Sequence, residues 1–560
     1  MGPQGISTTV ALTGVLPFVV MVAAAFSLPV CFFLLRLYRR SVLAGMDVSA
    51  GEAMPPPAEQ RAAPATPLNI EDLGSGPATL VGLADPQALR EAARGPWRSA
   101  AVYACGGIAY AMVMTSGWLL ATRDPTVAWP KVAVLFLTYL WPAVLAIMLV
   151  AAYDRARRRQ LFGVYFGAIV ALTALSLTRN PGLGLLDVPI YWVLMNGPTT
   201  VLLLTFLLRP IRAVGPLVLA FMLLLAIGSQ TLLGMAAGDE TVLRAISETG
   251  FQLGLGAVGV FFGMILLGIL IFAGLGWPLL RWIGRRYEAK KFSDQSLTID
   301  SLFLLFGVVQ PIGLAFEGAV WILTGIAAFA SYKAVTVCGF GMIRDSTGSP
   351  RTLLLLRVFR LGKRSEQLFD KLRKHWQSIG CIDMIAGPDL VTSTVEPHEF
   401  LEFLGGHLER QFIDGATDLE RRIAAMDRAA DPDGRYRIHE FFCRTDTWRM
   451  TMQRLAGTND AVLMDLRSFS PSNQGCLFEL GRLIDGVDLR GVLFLVDETT
   501  DRAFLEATLI RLWGQLSTDS PNRNLRSPAV RLFDIRDQSE QTLLSLTAQL
   551  QVPPRVGRPD

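Results

Sequence analysis

Charge, histidine and paired cysteine are what this chain has least of. Charged residues fill 18% of its 560 positions and histidines number 4, against 51% hydrophobic residues, and mean hydropathy is +0.39. Such a composition is too apolar for an ordinary soluble protein. The 6 cysteines are scattered, with Cys31, Cys105 and Cys338 in or near apolar runs and Cys381, Cys443 and Cys476 in the last third. No pair has CxxC spacing and none stands with histidines in a ligand pattern, which argues against a zinc site or any other metal centre. Unpaired thiols in the last third suit a reducing compartment. P-loop, GxGxxG and GxSxG motifs are missing from the C-terminal third, so the familiar phosphate-loop and hydrolase signatures do not apply.

What is abundant is long apolar sequence. Seven runs approach or exceed the roughly 20 residues needed to cross a hydrocarbon core of about 30 Å: Leu12 to Leu35, Ala100 to Leu120, Val132 to Ala152, Leu161 to Leu177, Val188 to Leu208, Gly215 to Met235 and Leu253 to Leu280. The first lacks a basic n-region and is followed by basic residues, so a retained anchor is expected rather than a cleaved signal peptide. The stretch Ser301 to Cys338 is too long for one span and short for two. Pro311 and Glu317 lie in its middle, and a hairpin is expected there, since backbone breaks are tolerated at membrane depth where protein buries them. That gives about nine segments. Basic residues cluster in alternate loops ("RLYRRS", "YDRARRRQ", "RPIR", "RWIGRRYEAKK"). They place the N-terminus outside a cell membrane and the C-terminal domain in the cytoplasm.

The organisation expected is a first span over 1–37, a flexible cytoplasmic linker over 38–98, a multi-pass region over 99–340, a soluble domain over 350–551 and a disordered tail over 552–560. The linker reading rests on the Pro-, Ala- and Gly-rich "SAGEAMPPPAEQRAAPATPLNIEDLGSGPATL". From about Arg351, short apolar runs such as "TLLLLRVF", "CIDMIAGPDLV", "DAVLMDL", "GVLFLVDE" and "AVRLFDI" alternate with amphipathic helices, among them "SEQLFDKLRKHWQSIG", ending at Gly380, and "EPHEFLEFLGGHLERQF". Continuous apolar strands between helices predict an α/β domain with a parallel sheet covered on both faces. Such sheets bind ligands beyond the carboxyl ends of their strands. Arg357, Asp389, Asp465 and Asp497 fall at those ends, and Glu479 about one turn into the helix after Asp465.

In that helix, "SPSNQGCLFEL" after an apolar strand resembles the Ser-Pro loop and Cys-x-x-Glu-Leu segment of TIR domains. It is also similar to the Asp-x-Gly-Thr-x-x-Glu-x-Gly motif of nucleoside 2-deoxyribosyltransferases, which share a flavodoxin-like topology. Gly475, Glu479 and Gly481 match the second pattern, with Asn473 in place of Asp and Cys476 in place of Thr. Cys476, Glu479 and Leu480 match the first, with Gly475 at the usual Trp position. The resemblance spans roughly residues 350 to 550, with an insertion from about Leu408 to Tyr436. It implies that Glu479 is catalytic, acting on the anomeric carbon while an N-glycosidic bond breaks, and that Arg357, Asp389, Asp465, Asn473, Gly475, Cys476 and Asp497 bind the ligand. A carboxylate suits an oxocarbenium-like centre. No cofactor is assigned.

Plainer readings run beside it. A helical Glu is most often solvated, Asp465 and Asp497 serve equally well as caps or loop anchors, and His439 reads as a strand-surface residue. The alternative functions are a non-catalytic membrane-anchored sensor or signalling module of the same fold, and a transporter with a regulatory tail. The last needs ionisable groups inside the bilayer, where only Asn196, Gln230, Gln310 and Glu317 stand out. The partners expected are the lipid bilayer and a nucleotide ligand such as NAD or a nucleoside. Homo-oligomers remain an open alternative, and no nucleic acid is expected.

Overall fold

The computed structural model describes residues 16–46, 66–73, 86–123, 128–151, 155–179, 184–206, 214–343, 350–357, 363–387, 395 and 397–551. The chain divides into a helical unit, made mainly of Trp97–Ile343 with Val395–Leu404, and a second unit built on a sheet.

The helical unit contains the apolar runs as helices. They are α1 (Leu16–Met46), α2 (Pro86–Thr122), α3 (Trp129–Val150), α4 (Arg155–Arg179), α5 (Asp187–Phe206), α6 (Gly215–Gly238), the amphipathic α7 (Glu240–Gln252), α8 (Ala257–Glu288), α9 (Asp294–Val309) and α10 (Leu323–Ile343). Eight helices among the described residues are long and apolar enough to cross a membrane. The 20-residue α5, at the fifth expected span, is not one of the eight. Ser293 starts α9 with a capping box, in which Ser293 and Ser296 each bond the other's backbone N–H.

The expected hairpin is present. Two short 3₁₀ turns, Gln310–Phe316 and Ala319–Ile322, reverse the chain between α9 and α10, which pack antiparallel. The helices cross so closely at Gly307 and Gly325 that a Cβ on Gly325 would lie 1.8 Å from the Gly307 carbonyl oxygen. Only glycine fits there. The lone acid Glu317 sits exposed on the turn.

The second unit is a seven-stranded, wholly parallel sheet. Its strands are β1 (Asn69–Leu73), β2 (Arg351–Arg357), β3 (Gly380–Ile385), β4 (Ile438–Phe441), β5 (Ala461–Asp465), β6 (Val492–Val496) and β7 (Ala529–Asp534), in the order β1-β7-β6-β5-β2-β3-β4. In β5 and β6 every residue is buried, which is why they read as unbroken apolar runs. Alternate side chains feed two cores. Leu354, Leu356, Val462, Met464 and Phe494 pack under α14 (Trp448–Thr458), α15 (Gln474–Gly486) and α16 (Arg502–Trp513). Leu353, Leu355, Leu463 and Leu495 pack under α11 (Lys363–Trp376) and α17 (Glu540–Gln549). Burial at about 25 cal/mol per Å² makes these two faces the main stabilising term.

Three boundaries differ from expectation. The segment 38–98 is not wholly a flexible linker: α1 continues to Met46, α2 starts at Pro86, and β1 lies between them. β1 adds to β7 through backbone pairing from Asn69↔Ala529 to Leu73↔Phe533. Trp513 Nε1 donates to the Thr66 carbonyl at 2.9 Å, and Arg502 pairs with Asp72. An edge strand needs backbone groups more than apolar side chains, so a polar sequence suffices. Gly380 does not close a helix but opens β3, where a Cβ would lie 1.8 Å from the Arg351 carbonyl oxygen. The helix expected over "EPHEFLEFLGGHLERQF" is only α12 (Pro397–Leu404), and it packs against α8 of the helical unit, with Leu401 over Gly284. The insertion from Leu408 to Tyr436 holds a 3₁₀ turn and α13 (Ala416–Ala425). Arg422 ties them, donating to the carbonyls of Arg410 and Phe412 at 2.7 Å each. The expected disordered tail, 552–560, lies outside the described residues.

Candidate functional site

All seven strands point their carboxyl ends to one edge, and α14, α15, α16 and α17 follow β4, β5, β6 and β7 from there. The chain leaves β2 toward β3 on one side, while β5 lies on the other. A crevice is expected at such a reversal. Register sets Arg357, the last residue of β2, beside Asp465, the last of β5. Asp389 lies outside the described residues.

Asp465 is 2% exposed, and so is Arg467. The two form a fork-to-fork ion pair, with Arg467 Nε donating to Oδ1 at 2.8 Å and Nη2 to Oδ2 at 2.7 Å. Burial works against the guanidinium charge, but its bonds to Asp465, that carboxylate's charge and the charge of Asp497 outweigh this and hold its pKa above the ordinary value. Removing both groups from water is costly, and good geometry is what repays it. Asp465 therefore anchors the loop that follows it.

That loop is bound to its neighbour. Ser468 adopts φ 59, a left-handed conformation that non-glycine residues seldom take. Its N–H donates to Thr499 Oγ1 at 3.0 Å. Asp497, at the end of β6, accepts from the Thr499 N–H at 2.9 Å and from its hydroxyl at 2.5 Å. Thr500 Oγ1 donates to the Leu466 carbonyl at 3.1 Å. Asp497 thus orders the second loop and holds it against the first. Strain of this kind persists only where surrounding contacts over-determine it.

The loop ends in α15. Asn473 Oδ1 accepts from the Ser470 N–H at 2.9 Å and its hydroxyl at 3.0 Å, a local turn that sets where the helix begins. Gly475 is exposed, and a Cβ there would meet nothing within 4 Å, so the space above the helix start is open. Cys476 and Leu480 are buried in the core. Glu479 shares their stripe, spaced as Cys476, Glu479, Leu480 and Leu483, and is 2% exposed. A carboxylate on the inward face of an amphipathic helix is uncommon, and the solvated-helix reading of Glu479 does not hold.

The structure thus gathers Arg357, Asp465, Asn473, Gly475, Cys476, Glu479 and Asp497 at one edge, but in different roles. Gly475 fronts open space. Asp465, Cys476 and Asp497 serve the loops and the core. Sequence reasoning missed Arg467, whose signal was a basic residue two positions after a strand-end aspartate. His439 is not a plain surface residue: its Nδ1 lies 2.9 Å from Oδ1 of Asp383, which is fully buried on β3.

Polar groups inside the helical unit also pair. Tyr110 donates to Gln310 at 2.8 Å, Gln310 to Asn196 at 2.9 Å, and Asn196 to the Thr138 carbonyl at 3.2 Å. Asp300 and Lys333, both overlooked in the sequence, form an ion pair joined by the Tyr332 hydroxyl at 2.9 Å. Such bonds tie helices together.

No family model matches this chain, and neither the curated proteins nor the solved structures include a match.

Proposed function

We propose that this is a multi-pass membrane protein displaying a cytoplasmic TIR-like or deoxyribosyltransferase-like domain, which binds a nucleotide such as NAD and cleaves its N-glycosidic bond. The observation that carries the reading is Glu479: a carboxylate 2% exposed, near the start of α15, at the carboxyl edge of a parallel sheet. Strand order supports it. Without the edge strands β1 and β4, the order β3-β2-β5-β6-β7 is the flavodoxin-like order 2-1-3-4-5. β4 follows the insertion that the resemblance required.

In this reading the ligand's sugar stands over the start of α15, and the Glu479 carboxylate faces C1′. The bond from C1′ to the base nitrogen breaks with its electron pair going to nitrogen, which neutralises a nicotinamide pyridinium. Glu479 stabilises the positive charge left on the sugar. A water oxygen then bonds C1′ and releases its proton to solvent. Arg467 and Asp465 keep the loop before α15 in place.

The test is incubation of the purified full chain with NAD and with nucleosides, following base release by chromatography. Glu479-dependent release supports the enzyme. Ligand binding without turnover supports instead the non-catalytic sensor of the same fold, a reading favoured by the use of Asp465 within a buried ion pair. Neither binding nor release refutes both.

A further inference from the structure

β4 feeds α14 and β5 feeds α15, so both helices begin at the carboxyl edge and lie side by side on one face of the sheet. An aromatic and cationic cluster joins them there. The rings of Trp448 and Phe478 meet edge to face at 5.5 Å. Arg449, the second residue of α14, places its guanidinium carbon 5.1 Å from the centre of the Phe478 ring, and Arg482 of α15 places its own 5.5 Å from the same ring. Arg482 is further oriented by Gln453, whose amide oxygen, turned toward it, accepts from Nη2 at 3.0 Å.

Other arginines of this unit meet carboxylates: Arg422 with Asp418, Arg437 with Asp431, Arg454 with Glu420 and Arg467 with Asp465. Among the described residues Arg449 and Arg482 have no such partner, and Arg449 Nε is buried without an acceptor. Two like charges brought to one ring repel each other, and stacking alone recovers little at a surface. A guanidinium lying on a ring keeps its N–H edge available for a bidentate bond to a phosphoryl oxygen pair. The positive end of α14, where Arg449 is the second residue, adds to the same field.

We propose that Arg449, at the start of α14, and Arg482, in the third turn of α15, both stacked on Phe478, bind the diphosphate of a nucleotide. This rests on the nucleotide reading for the ligand's identity: α15 carries Gly475, Phe478 and Arg482 along one stripe, so the phosphates extend along the helix from a sugar placed at Glu479. The phosphoryl chemistry itself is independent of that reading.

The experiment is titration of the detergent-solubilised full chain with inorganic pyrophosphate, NAD, nicotinamide riboside and glycerol 3-phosphate. It is run on wild type, Arg449→Gln, Arg482→Gln, Arg449→Lys and the double glutamine variant. Protection of Cys476 from a maleimide reports that each variant is folded. Each glutamine variant is expected to weaken pyrophosphate and NAD by about ten- to a hundredfold, as loss of a charge-assisted bond does. Riboside binding, which involves no phosphate, is unchanged, and Arg449→Lys restores only part, since lysine keeps the charge without the fork. Arginine-dependent pyrophosphate binding without NAD binding leaves the anion site standing and removes the nucleotide reading. Glycerol 3-phosphate bound more tightly than pyrophosphate assigns the cluster to a lipid headgroup and overturns the diphosphate proposal. Equal pyrophosphate affinity in wild type and the double variant, or no binding by folded wild type, overturns the site altogether.

Discussion

Replacing Arg467 by methionine keeps most of the side-chain volume and removes the charge. Asp465, 2% exposed, then loses two charge-assisted bonds, at 2.8 and 2.7 Å. Both partners are almost wholly excluded from water, so solvent screening provides no relief. Breaking such a buried pair from one side costs roughly 3–5 kcal/mol. Asp497 adds to the cost, since its charge also favours the guanidinium. The double variant Asp465→Asn, Arg467→Met leaves no uncompensated charge and recovers much of the loss, giving a coupling energy on the order of 2 kcal/mol. Cys476 supplies the assay, because it is buried one turn from Glu479. With the other cysteines replaced, its maleimide labelling in native membranes follows the opening equilibrium when reclosing is fast. A loss of about 3–5 kcal/mol accelerates labelling by roughly two to three and a half orders of magnitude. A single variant labelled within about threefold of wild type, a shift of only about 0.6 kcal/mol, would show that the pair does not hold this loop.

Further expectations concern the hairpin, the thiols and the carboxylate. Gly325→Ala drives a methyl into the Gly307 carbonyl and should cost on the order of 3 kcal/mol, seen as loss of monodisperse protein in size-exclusion chromatography. Glu317→Leu changes an exposed turn residue and should leave expression and topology unchanged, within about 0.5 kcal/mol. A marked loss in a topology reporter would show a role for this acid. Burial pushes the Cys443 thiol up to about 12, against smaller pulls from Thr451 and Thr447. Maleimide labelling of that thiol in the folded chain should therefore stay slow from pH 7 to pH 9, where a free thiol near its ordinary pKa of about 8.5 accelerates strongly. Glu479→Gln keeps the shape and should lower turnover about a hundredfold or more, while Gly475→Val should weaken ligand binding by filling the open space above α15. Unchanged base release in Glu479→Gln would assign that carboxylate to packing.

The parallel sheet was legible because β5 and β6 are buried on both faces and so carry unbroken apolar runs. The hairpin was legible from its length and from Pro311. β1 was not, because "NIEDL" has neither run nor alternation, and its pairing depends on a strand far away in the chain. Asp465 read as a strand-end ligand contact or loop anchor and Arg467 was missed, since only the fold reveals that both are buried. Glu479 was singled out by its motif, yet its burial follows from the stripe it shares with Cys476 and Leu480. Gly380 looked like a helix stop because the closeness of the neighbouring strand leaves no trace in local sequence. Asp300 and Lys333 were passed over for a similar reason: each reads as an isolated charge within an apolar stretch until the hairpin brings them together.

The edge strand β1 has a consequence for synthesis. Asn69 pairs with Ala529, about 460 residues downstream, so the strand leaves the ribosome long before its partner exists. At roughly 5–20 residues per second, the interval is about 20 to 90 s. Throughout it the nascent chain carries an extended segment with nothing to pair with, while the apolar helices between are made and inserted. An apolar strand waiting that long would invite aggregation with neighbouring chains. Asn69, Glu71 and Asp72 keep this one polar, and all three stay exposed in the finished sheet. Its weak sequence signal is then a protective trait: the strand remains inert until β7 arrives, and this edge of the sheet closes only after Ala529–Asp534 has been made.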